Sequence, residues 1–402
     1  MFSHLEHIYD PRERALVGIA DLGLRALTWP WRLAPSQRPP MPPQRILALR
    51  LERIGDLLMT LGALQSLRAT WRQAQIKLVV GSWNADVAKQ LPWVDSVETL
   101  DAPWLSREDA PATLGALLRR GQRWKRERFD LALNLEGDIR SNFLLALSGA
   151  SLRVGFAMAG GGSLLTDVVS YDPRAHTDEN TRRVVRAAAE RLGTTAVEPP
   201  PSWPRFSLPP ASVERASRLL GEDASRAART LIGLHTGGGR AIKQWHPSRF
   251  GQAAGRIAQE ASAAIVLTGT DRDRPLVDEA RSAIPSGVDV VDLAAPLDLL
   301  TLAAVLSRLS LYVTGDTGPM HLAAAMGTPV VGVFGISDPA RYAPLVAHRR
   351  VVRIDLPCSP CNRVRLPPER CRGHMPDCLE GIGSDMVARA GLDLLAEVRD
   401  RG

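Results

Sequence analysis

The stretch YVTGDTGPMHLAAAMGTPVVGVFG, residues 312–335, leaves this chain little choice of fold. An apolar run over residues 309–313 leads into Gly315-Asp316-Thr317-Gly318-Pro319, and an alanine-rich segment follows at helical spacing to Met326. Gly327-Thr328-Pro329 stops that helix, and residues 330–334 read as another buried strand. Strand, turn, helix and strand in that order predict a parallel α/β sheet. Asp316 or Thr317 can cap the helix, and Pro319 suits its first turn, where no backbone donor is needed. The unpaired amides there, with the helix dipole, suit a phosphate or diphosphate, and His321 one turn in would face the same ligand. An ordinary αβ unit with a tight loop carries the same letters, so the turn alone does not decide.

The same alternation recurs along the chain. Residues 46–51 read as a strand, Gly55-Asp56 as the turn after it, and Leu57 onward as an apolar helix. Asp56 therefore stands where a strand's C-terminal end meets a helix, either as a cap or on the edge where open α/β sheets bind ligands. Residues 130–135 form a strand that runs into Glu136, Asp138 and Arg140, again polar groups on that edge. Gly160-Gly161-Gly162 reads as a mobile loop able to cover a substrate. Residues 231–235 are a strand followed by Thr236-Gly237-Gly238-Gly239, which lets the backbone approach a ligand, and Ser248 is placed to cap the next helix. Lys243 stands in that loop, either as a solvated side chain or as a point charge for a phosphate. Each turn sets Gly beside Asp, Thr or Lys on one edge, which shifts the reading from scaffold to site.

At 402 residues the chain has room for two domains. Prolines at 199, 200, 201, 204, 209 and 210 mark the boundary, giving an N-terminal domain over 44–195, a linker over 196–212 and a C-terminal domain over 213–346. A formal net charge of +7 calls for an anionic partner. With only 5% aromatic residues and no basic array interleaved with stacking rings, nucleic acid is the least supported. No apolar run approaches the roughly 18 residues that span a bilayer, and the N-terminus lacks a signal peptide's order, so the expected location is cytoplasmic.

Residues 1–43 look like an appendage. Asp10-Pro11-Arg12-Glu13 has the form of a capping box, and helical periodicity follows to Thr28. Leu16, Val17, Ile19, Ala20, Leu22, Leu24 and Leu27 share one wide apolar face, Arg14, Asp21 and Arg25 a narrow polar one, and Trp29 and Trp31 come next. Such a helix can lie in a membrane interface or pack on its own protein or a second subunit. Residues 35–43 read as a proline-rich linker. The helix over residues 114–129 carries six arginines and lysines, which reads as a solvated basic face or a site for an acidic acceptor or anionic lipid.

RIGDLLMTLGAL, FDLALNLEGDIRS, LHTGGGRAIKQWHPSRF, VLTGTDRD and VTGDTGPMHLAAAMGTPVVGVFG, colinear from Arg45 to Gly335, together resemble glycosyltransferase family 9, the ADP-heptose:lipopolysaccharide heptosyltransferases. The resemblance implies the GT-B form of the α/β class, with two Rossmann-like domains facing across a cleft, donor on the C-terminal one and acceptor on the N-terminal one. It implies inverting transfer with no metal or other cofactor for catalysis. Asp56 falls on the family's catalytic aspartate, a candidate base, and Lys243 on its phosphate-binding lysine. His246 interrupts the usual Lys-x-Trp-Pro order there. Thr236, Gly237, Asp316, Thr317, Gly318 and His321 fall on the donor side, and Glu136 and Arg140 on the acceptor side. The implied partners are a nucleotide sugar, with an ADP-sugar favoured, and an anionic glycan or glycolipid at the inner-leaflet surface. The alternatives are a different nucleotide sugar on another acceptor, and a catalytically silent adaptor.

All four cysteines fall in CSPCNRVRLPPERCRGHMPDC: Cys358, Cys361, Cys371 and Cys378. In a cytosolic protein that cluster admits a structural zinc, reduced thiols or, less readily, disulfides. The expectation for residues 347–402 is a cysteine-bearing segment and a helix, residues 384–398, packing back on the N-terminal domain.

Overall fold

Short apolar runs, each ending in glycine or a polar cluster, become the strands of two separate sheets. The computed structural model describes residues 5, 8, 10–32, 41–105, 113–200, 203, 205–221, 230–364 and 367–401. The chain divides into two compact units, Met1–Pro201 and Ser202–Gly402. The expected linker over 35–43 lies mostly outside the described residues, as do Pro201 and Pro204 of the interdomain one and the side chain of Trp31.

The first unit runs α1 (Pro11–Arg32), β1 (Arg45–Arg50), α2 (Ile54–Leu58), α3 (Leu61–Thr70), β2 (Gln75–Val80), α4 (Ala85–Ala88), β3 (Ser96–Thr99), α5 (Leu114–Glu127), β4 (Leu131–Asn134), α6 (Ile139–Leu147), β5 (Leu152–Phe156), β6 (Asp167–Val169) and α7 (Thr177–Arg191). Its sheet has the order β3-β2-β1-β4-β5-β6, and every pairing is parallel. β1 and β4 are buried almost throughout because helices cover both faces of the sheet. On one face Leu117 and Trp124 of α5 and Leu144 and Leu145 of α6 pack on Leu47, Leu49, Val79 and Ala132.

The second unit runs α8 (Pro210–Leu220), β7 (Leu231–His235), α9 (Pro247–Ala261), β8 (Ala264–Gly269), α10 (Arg274–Ser282), β9 (Val290–Ala294), α11 (Leu299–Leu306), β10 (Leu311–Gly315), α12 (Gly318–Ala325), β11 (Val330–Val333), α13 (Pro339–Tyr342), β12 (Arg349–Val352), α14 (Asp377–Glu380) and α15 (Ser384–Arg401). Its parallel sheet, β12-β11-β10-β7-β8-β9, repeats the strand order of the first when each unit is numbered from its own first strand. Both are doubly wound, Rossmann-like sheets, and the order reverses beside β1 and β4 in one and β7 and β10 in the other.

Several expectations change. The second domain does not end at residue 346: β12 is the sixth strand of its sheet. Helix α15, expected on the first domain, buries Val387, Ala388, Leu394 and Leu395 in the second unit's own core with Ile257, Leu311 and Val331. Gly391 permits that approach, since a Cβ there would lie 2.6 Å from Ile257 Cδ1. Ser248 does not cap α9: His246 holds the cap position, makes no side-chain cap bond, and is followed by Pro247 at the first turn.

The glycine loop at 160–162 is held rather than open. Gly160 and Gly161 both have positive φ, and Gly161 N–H donates to Asp21 Oδ1 of α1 at 2.7 Å. A Cβ on Gly160 would come within 3.1 Å of Val17 Cγ1, also on α1. The loop's conformational freedom serves this close seat for α1.

Candidate active site

At the second unit's switch point, β7 ends at His235 and β10 at Gly315. Asp316, nearly buried, follows β10 directly, and Lys243 Nζ lies 2.5 Å from its Oδ2. His321 Nε2, one turn into α12, lies 4.0 Å from Oδ1, and the Trp203 ring lies 5.5 Å from the imidazole, centroid to centroid. Burial by itself raises the Asp316 carboxyl. The charges of Lys243 and His321 and hydrogen bonds from Lys243 and Ser337 outweigh it and hold the group below the ordinary carboxylate range.

Thr317 sits at the N-cap of α12 with extended backbone but makes no side-chain cap bond. Its hydroxyl pairs with that of Thr314 at 3.2 Å, so the amides of the helix's first turn are left uncapped by a side chain. The Thr236 hydroxyl is buried with no partner among the described residues. Gly237 is required by space: a Cβ there would meet the Asp273 carboxylate at 2.5 Å. Lysine, uncapped amides and bare glycine backbone together make an anion seat.

His246 leaves that loop intact. Trp245 is fully buried, donates from Nε1 to Ile382 O at 3.2 Å and stacks edge-on against Phe250. His246 Nε2 meets Glu380 Oε2 at 2.5 Å, and Arg249 also pairs with Glu380, so the extra residue is tied to the end of α14.

The first unit's switch point has different chemistry. Asp56 sits in the first turn of α2, where its Oδ2 accepts the N–H of Arg53 at 3.1 Å. It is thus a cap, and it also belongs to a cluster. Arg50, the last residue of β1 and almost wholly buried, places Nη2 3.9 Å from Asp56 Oδ1 and Nη1 3.0 Å from Glu52 Oε2. The same guanidinium donates to the backbone carbonyls of Leu135 and Asp56. Glu136 closes the cluster from β4's side by accepting the Leu51 N–H at 3.1 Å. Burial and the charge of Glu52, against the opposing pull of Arg50, push its carboxyl up to about 8, so it holds a proton at neutral pH. Beyond it Arg140 pairs through two nitrogens with Asp138, the N-cap of α6, and lies 5.0 Å from the centre of the Trp104 ring. Each unit thus gathers its own expected site residues on one edge of its own sheet.

Residues 117–369 match the family described as glycosyltransferase family 9 (heptosyltransferase). The chain belongs to glycosyltransferase family 9. Among the similar proteins of the family, lipopolysaccharide heptosyltransferase 2 of Escherichia coli is 25% identical over 316 residues, covering 77% of this chain and 88% of that one. The solved E. coli ADP-heptose lipopolysaccharide heptosyltransferase II has a TM-score of 0.70 at 21% identity, covering 89% of this chain and 100% of its own. A family 9 glycosyltransferase from Veillonella parvula has a TM-score of 0.74 at 22% identity, covering 88% and 98%. The GT-B class read from the motifs is that of these family 9 enzymes.

Sequence reasoning missed Arg50 and Glu52 in this family 9 chain. A charged residue closing an otherwise apolar strand, as in ILALR, was the available signal. Of the three readings of the cysteine cluster, the described residues fit the reduced thiols. All four thiols are free, and among the described residues no group of three or more His, Cys, Asp or Glu is placed to hold a metal, so a structural zinc finds no ligand set among them. Cys378 is a core side chain whose Sγ would lie 3.2 Å from a Cβ on Gly335. Burial pushes its thiol up to about 11, which disfavours the thiolate that metals bind.

Proposed function

We propose that this glycosyltransferase moves heptose from ADP-heptose onto a lipopolysaccharide core by inverting, metal-independent displacement, at the cytoplasmic face of the inner membrane. The observation that carries the reading is the Lys243–Asp316 pair beside the uncapped start of α12, at the second unit's switch point. The names of its similar proteins supply the sugar and the acceptor class.

The donor's diphosphate lies against Lys243, the amides of Thr317 and Gly318, and the backbone of Thr236 and Gly237. Asp316 and His321 hold sugar hydroxyls. On the first unit Asp56 takes the proton of the acceptor hydroxyl, whose oxygen forms the new bond to the anomeric carbon. The bond from that carbon to the phosphate oxygen breaks, and ADP leaves with the electron pair. Its growing charge is met by Lys243 and the helix amides, which are already aimed at it. Protonated Glu136 can donate to an acceptor oxygen, and Arg140 offers its guanidinium to an acidic group of the glycan.

The test is transfer to a heptose-deficient core oligosaccharide, with product mass and released ADP measured together. A thermal-shift panel of nucleotide sugars separates donor classes, because only a ligand of the folded state raises the melting temperature. Product one heptose heavier, with stabilisation by ADP-sugars alone, is expected. Stabilisation by a uridine or guanosine sugar alone would overturn the donor reading, and binding without transfer would mark a silent adaptor.

A further inference from the structure

Helix α1 faces the protein with Val17, Gly18 and Asp21. Asp21 is buried, paired with Arg25 at 2.9 Å and bonded to the Gly161 amide, while Gly18 is buried beside it. The opposite side points away from the protein: Leu16, Ile19 and Leu27 are 69%, 65% and 67% exposed, and Trp29 is 63% exposed. A helix that only packed on its own protein would bury that apolar side, since burial of those side chains is the larger gain.

The exposed side does not stand alone. The 160–165 loop that seats α1 covers the same side of the sheet as α6 and α5, and Gly161 lies against Ile139 of α6. Along that layer Leu114 and Leu118 of α5 and Phe143 of α6 are also exposed. Arg119, Lys125 and Arg126 stand exposed on α5 among them. Apolar side chains, a tryptophan and cations on one layer complement an anionic lipid surface. A second copy docking here would bring its own cations against these. The loop that seats α1 also touches the proposed acceptor side of the first unit, because Gly161 lies against Ile139, the neighbour of Arg140.

We propose that the α1–α6–α5 layer is a docking surface for an anionic lipid bilayer, which it grips with the outward side of α1 and the cations of α5. No described helix is long and apolar enough to cross a membrane, and docking needs none. The layer brings a lipid-anchored acceptor to the edge where Arg140 and Glu136 stand. This deepens the proposed function only in that last step, and bare vesicles test the docking without any sugar.

Flotation of the full chain with vesicles of phosphatidylethanolamine and phosphatidylglycerol, against phosphatidylcholine alone, is the measurement. Binding to the anionic vesicles that weakens with salt is expected. Arg119→Gln and Arg126→Gln should each weaken it about fivefold. Leu16→Ser with Leu27→Ser should weaken it more than about tenfold while leaving melting temperature and transfer to a soluble acceptor unchanged. Undiminished binding by these variants would overturn the proposal. So would failure of the parent to float, together with sedimentation showing a dimer that the leucine variant dissociates, which would make the layer an interface between copies.

Discussion

At the end of β1 the first unit sets a buried arginine among Glu52, Asp56 and Glu136, whereas at the end of β7 the second sets glycines, a lysine and an uncapped helix. The strand order is the same and so is the place in it. What differs is the sign of the charge each edge is prepared to receive. In the proposed reaction one edge takes up a proton and the other receives a diphosphate. The doubly wound sheet therefore decides where a ligand goes, and a few loop side chains decide which ligand it is.

The sharpest way to break that contrast is to disable each edge in turn. Asp56→Asn should lower turnover by about 10²- to 10⁴-fold with ADP-heptose affinity nearly intact. Lys243→Ala should weaken donor binding by about 10- to 100-fold along with turnover. Calorimetric donor titration beside turnover numbers checks both. Equal loss of donor affinity in the Asp56 variant would mean that it serves only as the cap of α2.

Arg50 comes next in size. Replacing it with methionine leaves Glu52 and Asp56 without their shared cation beside Glu136, and a broken buried pair costs about 3 to 5 kcal/mol. Glu52 and Asp56 are each about one-third exposed, so solvent screening places the loss below that range. Urea unfolding of the variant measures it, and a loss within the error of the extrapolation would show that the cluster needs no arginine.

The most gradual effect is on pH dependence. Glu136 titrates near 8 when folded and near the ordinary 4.5 when unfolded. As pH rises through that window the unfolded chain releases a proton that the folded one keeps, so stability falls by at most about 1.4 kcal/mol per unit. Glu136→Gln removes the titration and keeps an acceptor for the Leu51 amide. Its advantage in melting temperature over the parent should be near zero at pH 4.5 and grow up to pH 8. A difference that is flat with pH would show that Glu136 is already ionised.

Much of this was legible because an apolar run followed by Gly, Asp or Thr is both a strand end and a ligand edge, as at Gly237 and Asp316. Arg50 was not, since only the fold shows that the last residue of β1 is enclosed by the Leu135 carbonyl and two carboxylates. β6 and β12 were not, because three residues such as Asp167–Val169, or the basic Arg349–Val352, become strands through their neighbours' hydrogen bonds rather than by their own pattern. The mounting of α1 could not be read either. Periodicity gives the two sides of a helix, and only the Asp21–Gly161 bond says which one faces the protein.

The position of β12 and α15 has a consequence for the order in which a cell makes this protein. Met1–Pro201 is contiguous, so the half carrying Asp56 can mature while the other is still being translated. The half carrying Lys243 cannot, since its sheet awaits Val352 and its core awaits Leu395. A nascent chain therefore completes the Arg50–Asp56 edge first and the Lys243–Asp316 edge only with its last turns of helix. Under the proposed function, an interrupted chain would be born with its acceptor edge formed and its donor edge unfinished.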